Sequence, residues 1–205
     1  MQDLERALAD ISEIRGQLAR GAPFHGLGAA TLATTGVLAA LTALAQARWL
    51  ADPAHNVLAY VGLWTATAAV SLIIIGFETV TRTRRIHSGL AQEMILSAVE
   101  QFLPAALAGV LLTAVLLRFM PENLWMLPGL WQVVFSLGVF ASSRFLPRLM
   151  LLVGGWYLAC GLASLVLARG DQAFSPWAMG GAFGIGQLLV AVVIQFASGG
   201  DNGRA

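Results

Sequence analysis

Six almost uninterrupted apolar stretches alternate with short polar segments along this chain, at 27–48, 58–79, 98–119, 124–143, 148–168 and 176–197. Each is close to the ~20 residues that a helix needs to cross a ~30 Å hydrocarbon core. The pattern predicts an all-α fold, a polytopic six-transmembrane-helix bundle spanning residues 21–197. Ahead of it, residues 1–20 place Leu4, Ala7, Leu8, Ile11, Ile14 and Leu18 on one side at helical spacing and their charges on the other. That periodicity predicts an amphipathic cytoplasmic helix, docked on the chain's own loops, lying at the lipid interface or pairing in a short coiled coil, stopped by Gly21-Ala22-Pro23. Residues 198–205 form a short polar tail.

One polar interruption is much longer than the others. From Glu78 to Pro104 the chain carries Arg82, Arg84, Arg85 and His87, then passes Glu93 and Glu100 into the third apolar stretch without a strong turn signal. Arginines at span ends decide orientation. Nine of the twelve lie on the side of the N-terminus, this segment, the fourth-to-fifth connection and the tail; Arg48, Arg118 and Arg169 lie on the other. Both termini are therefore expected in the cytoplasm of a multi-pass cell-membrane protein, with a bacterial inner membrane the expected location. Trp49, Tyr60, Trp125 and Trp177 fall at the opposite interface, as an aromatic belt does.

Composition agrees with the pattern. The chain has 205 residues, 58% hydrophobic and 11% charged, with a mean hydropathy of +0.75; a soluble domain carries about 25% charged residues. A net charge of +1 offers nothing for a nucleic acid to bind, and the single Cys160 excludes an internal disulfide. No charge falls at mid-membrane, where ion-coupled pumps keep ionisable groups.

The candidate chemistry falls into two sets. Towards the outer side, Trp64 and Trp131 sit about a turn deeper than the aromatic belt; with Tyr60, Gln132 and Gln187 they could line an outward-facing pocket for a flat or amphipathic molecule. The competing use of all five is packing between helices. On the cytoplasmic side, His25, Glu78, Arg82, Glu100 and Arg144 could form a polar cluster. There Glu78 is expected to pair with Arg82 one turn on, and Glu100 with Arg144, as a girdle of ion pairs at the helix ends. No nucleophile–base motif is present and no cofactor is expected. His25 and His87 could together ligate a haem or metal, but neither has a companion ligand at i+3 or i+4.

Small residues four apart mark faces for close helix approach: Ala29/Ala33 and Gly36/Ala40, Gly155/Ala159/Ala163, Gly180/Gly184 and Ala182/Gly186. Gly62-Leu63-Trp64 recurs as Gly129-Leu130-Trp131. Together these features point to a non-enzymatic membrane subunit or sensor in the lipid bilayer, binding a protein partner through residues 1–20 and 82–93. The alternative is a small-molecule binding or transport component using the aromatic pocket. A lipid-directed enzyme employing Glu78, Glu100 and His25 ranks third.

Overall fold

The computed structural model describes residues 28–50, 52–86 and 89–199, and these are helical with no strand. The expected helix at 1–20, together with His25, His87 and the tail, lies outside the described residues. Six helical segments are long and apolar enough to cross a membrane, the fourth being Pro121–Ser142 and the sixth Gly170–Ala197; the α-helices in them are α1 (Ala29–Trp49), α2 (Val57–Ile86), α3 (Gly89–Phe119), α4 (Leu127–Ser142), α5 (Met150–Leu167) and α6 (Pro176–Gly199). Short 3₁₀ helices, Pro121–Met126 and Gly170–Phe174, lead into α4 and α6. Proline sets the starts: Pro121 and Pro128 stand in the first turn of their elements and Pro176 opens α6, positions where the missing N–H costs nothing. Gly170 makes the turn after α5 at φ +60°, a region that side chains with a Cβ disfavour.

The first, fourth, fifth and sixth apolar stretches match their helices to within a few residues. The second and third do not stop where their apolar residues stop. Membrane-compatible segments end at Thr81 and resume at Ile95, yet the helices continue to Ile86 and from Gly89. The arginine-bearing segment is thus two helical extensions, about 8–9 Å long at 1.5 Å per residue, joined across residues 87 and 88. Apart from Gly89, the segment contains no helix breaker, so the helices persist outside the apolar zone.

Contacts run in an open series. Among the described residues α1 packs most extensively on α6, α4 on α5 and α3 on α4, with α2 leaning on α1 and α5 on α6. The series is α2–α1–α6–α5–α4–α3, and its two ends, α2 and α3, scarcely touch although they share the shortest connection. They are also the least buried helices, with 11% and 6% of their apolar segments inside the bundle.

The tightest interfaces are made where backbones meet. A Cβ added at Gly36 would stand 3.0 Å from the Gly184 carbonyl oxygen, and one at Gly180 would overlap the Ala43 side chain. On the other side a Cβ at Gly161 would lie 2.8 Å from the Gly129 oxygen and 2.9 Å from the Val133 nitrogen. Gly36 and the Gly180/Gly184 pair therefore serve the close approach expected of them. The Gly155/Ala159/Ala163 stripe does not: Gly155 and Ala159 face outward and a Cβ on Gly155 meets open space. Gly154 and Gly161 do that work instead, because the buried face of α5 is the one that carries Tyr157.

Two apolar cores result. One, toward the hairpin end, gathers Leu32, Ile95, Val139, Met150, Val153, Tyr157 and Ile194. The other, toward the 3₁₀ end, gathers Ala39, Ala43, Tyr60, Trp64, Phe174 and Met179. Phe183 packs against both.

The glycine geometry predicts that Gly161→Val destabilises the bundle by roughly 1–3 kcal/mol, the usual cost of overpacking, while Gly155→Val changes it little. Unfolding midpoints of the two variants in one mild detergent check this, and equal midpoints would contradict the assigned interface.

Candidate functional site

A side chain absent from the sequence expectations organises the 3₁₀ end. Gln46, in the last two turns of α1, is almost completely buried. Its amide nitrogen donates to the Phe174 carbonyl at 2.7 Å, and its oxygen accepts from the Trp64 indole N–H at 2.8 Å. One glutamine thus ties α1 to α2 and to the 3₁₀ helix ahead of α6. Its signal in the sequence was positional. Gly36, Ala39, Ala43 and Gln46 fall on one face of α1, so a polar group continues the row of small residues that packs on α6.

Around that tie stand aromatic rings. Tyr60 meets Phe174 edge-on at 5.1 Å between centroids and lies 6.5 Å from Trp64. Trp131 packs against this cluster from α4 and donates its indole N–H to Thr113 on α3 at 2.7 Å. The repeated Gly-Leu-Trp triplet therefore has a counterpart in hydrogen bonding. Each tryptophan donates to a side chain eighteen residues earlier, on the preceding helix.

Gln132 is fully buried on the adjoining face of α4. Its amide donates to the Ala178 carbonyl at 2.9 Å and approaches the Met179 sulfur at 3.7 Å. The structure thus brings Tyr60, Trp64 and Trp131 into one cluster, with Gln132 against its Met179. Gln187 lies elsewhere, about two turns further along α6. It faces Tyr157, close enough to interact but outside hydrogen-bond geometry. Tyr157, a second residue missing from the expectations, is fully buried, with its ring laid against the bare backbone of Gly186.

Unmet polar groups distinguish this interior. The Tyr60 and Tyr157 hydroxyls and the side-chain oxygens of Gln132 and Gln187 are buried without a hydrogen-bond partner. Leaving such a group unpaired costs about 1–3 kcal/mol.

At the hairpin end, Glu78 is half-buried and accepts a hydrogen bond from the Gly28 N–H, the residue that caps α1, at 3.2 Å. A carboxylate there complements the partial positive charge of a helix N-terminus. A Cβ on Gly28 would overlap the Glu78 carboxylate, which would have to shift to admit it. Arg82 stands in the helical extension of α2; its side chain, like His25, lies outside the described residues. The expected Glu100–Arg144 pair is not formed. Both side chains are exposed, and among the described residues the one ion pair joins Asp52 to His55 at 2.7 Å in the turn before α2. Glu100 stands on the outer face of α3. In the Asp52 turn the His55 backbone N–H, followed by its ring, holds the Asp52 carboxyl below its usual range. No three His, Cys, Asp or Glu side chains gather among the described residues.

Comparison with protein-family models, with curated proteins and with solved structures gave no match for this chain. Its function must be argued from its own residues.

Replacing Gln46 with Leu should strand both the Trp64 indole N–H and the Phe174 carbonyl, lowering stability by about 2–4 kcal/mol. Adding Trp64→Phe should recover part of that loss, because the two changes remove the same hydrogen bond. A double-mutant cycle of unfolding free energies with no coupling would show that Gln46 does not act through Trp64.

Proposed function

We propose that this chain is a non-enzymatic membrane subunit or sensor, with both termini cytoplasmic, that docks a protein partner on the helical hairpin formed by α2 and α3. One observation carries the reading: both helices run on beyond their apolar segments to Ile86 and from Gly89. They project a preformed helical element from the membrane, and its sequence holds Arg82, Arg84 and Arg85. A preformed element loses less conformational freedom on binding than a flexible segment does. Arginine density on that side supports a cytoplasmic position. The partner that fits this charge presents an acidic surface, and residues 1–20 supply a second contact.

Orientation is checked by reporter fusions: Asp52, Glu122 and Asp171 should read as periplasmic, and Arg148 as cytoplasmic. A cytoplasmic reading at Asp171 would break the topology.

Docking is checked by photo-reactive residues placed at Thr83 or Ala91 in cells. These should cross-link one discrete protein through an acidic segment, whereas the same probe at Leu107, on the exposed face of α3, should not. With each arginine contributing on the order of 1 kcal/mol near a charged surface, changing Arg82, Arg84 and Arg85 to Gln should weaken the cross-link more than tenfold. The bundle's unfolding midpoint should stay where it was. Recovery of anionic lipid alone at both positions would replace the partner with the membrane surface.

A further inference from the structure

Two polar side chains and an open backbone carbonyl fall together on the outside of α3. Glu100 and its neighbour Gln101 are both exposed, and neither side chain makes a hydrogen bond or an ion pair. Pro104, also exposed, stands inside the same helix. Having no N–H, it leaves the Glu100 carbonyl without the donor that residue i+4 supplies elsewhere in a helix. Four residues on is close to one full turn, so that carbonyl opens on the face that carries the Glu100 side chain. Leu96, Leu103 and Leu107 are exposed on that face as well, so it meets lipid and no other helix of this chain.

Depth follows from the charges. Between Glu100 and Arg118 the chain carries no charged residue, and both of these side chains are exposed. The stretch from one to the other is about 27 Å at 1.5 Å per residue, close to the ~30 Å thickness of the hydrocarbon core. Exposed charges that bracket such a run stand at its two boundaries, because each is costly inside it. Glu100 is thereby placed at headgroup level, at the hairpin end of α3.

We infer that the Glu100 carboxylate, the Gln101 side-chain oxygen and the Glu100 backbone carbonyl form a binding site for the primary ammonium headgroup of a phospholipid of the phosphatidylethanolamine class. Charge sets the class, since a carboxylate beside two neutral acceptors attracts a cation and repels an anionic headgroup. Donor number decides within it. A primary ammonium carries three N–H donors, one for each acceptor, and its bond to the carboxylate is charge-assisted. A trimethylammonium headgroup has the same charge and no donor. The acyl chains lie along Leu103 and Leu107. Bulky leucines flank Glu100 where a partner helix would need small residues for close approach, which favours a lipid over a basic side chain from another protein. The site stands apart from the docking proposed for the hairpin, and its test needs no partner.

Native mass spectrometry of the full-length chain, titrated with equimolar phosphatidylethanolamine and phosphatidylcholine of identical acyl chains, reads the preference. The first lipid retained should favour the primary ammonium by about tenfold, the worth of one hydrogen bond to a charged group, and successive N-methylation of the headgroup should erode that preference. Glu100→Gln should abolish it. Pro104→Ala, which returns an N–H to the Glu100 carbonyl, should weaken it about threefold, as the loss of one neutral hydrogen bond does. Glu122→Gln, at the far end of the bundle, should leave it unchanged. Equal retention of the two lipids would overturn the proposal and leave Glu100 to water alone. A preference that survives Glu100→Gln would put the amine elsewhere and overturn it equally.

Discussion

Close approach of backbones is the constraint on which this bundle depends. Helices in lipid gain nothing by hiding apolar side chains from a solvent that is itself apolar, so their association rests on packing and on internal hydrogen bonds. At α1–α6 the Gly36 and Gly184 backbones come within side-chain distance, and at α4–α5 Gly129 and Gly161 do the same. Those two contacts hold four of the six helices, and the remaining two attach to the outside of that frame. The same geometry explains why α2 and α3 are mostly lipid-exposed. Neither offers the other a glycine face: a Cβ on Gly62 or Gly76 meets nothing, and one on Gly109 meets only Val134 of α4.

Polar side chains then determine which arrangement of the frame is allowed. A buried amide or hydroxyl must find its partner within the protein, and most do so across a helix boundary. Thr42 and Thr67 join α1 to α2 at 3.0 Å, Ser142 reaches the Ala98 carbonyl from α4 to α3, and Trp156 reaches the Ala182 carbonyl from α5 to α6. Each bond fixes depth and rotation, which packing of interchangeable Leu and Val side chains leaves loose. The exceptions therefore carry information. The Tyr60 and Tyr157 hydroxyls and the side-chain oxygens of Gln132 and Gln187 remain unmatched.

Six helices and most of their ends were legible in the sequence, because an apolar run of membrane length admits one secondary structure and proline or glycine marks its limits. The extensions of α2 and α3 were less so. Hydropathy reports where lipid contact ends, and a helix of good propensity continues past that point with nothing in the apolar pattern to show it. Tertiary pairing was partly legible. Small-residue spacing identified Gly36 and Gly180/Gly184 correctly but chose the wrong face of α5, since Gly154, Gly155, Ala159 and Gly161 offer overlapping stripes and the bulk of Tyr157 decides between them. Gln46 drew no expectation and Glu100 drew a mistaken one. The first sits close to a helix end, where nothing in the sequence marks that it turns inward to Phe174. The second lies beside an apolar run and reads as buried, yet it turns outward.

The open series of contacts brings these features together. A six-helix ring closes when its first and last members meet, and here those members are the ones joined by the shortest connection. The two-residue connection keeps the end of α2 near the start of α3, while few contacts join the two helices along their described lengths. At that connection both helices extend past their apolar segments. Toward the opposite end lies the aromatic cluster, to which α2 contributes Tyr60 and Trp64 and against which Trp131, bonded to Thr113 of α3, packs. A change in the angle between α2 and α3 would alter both places at once. The lever is long, because the two helices have 30 and 31 residues, or about 45 Å each at 1.5 Å per residue. A shift of a few degrees at the connection therefore becomes a displacement of ångströms at the aromatic cluster, where Trp131 bonds α3 and packs against the cluster that holds Tyr60 and Trp64 of α2.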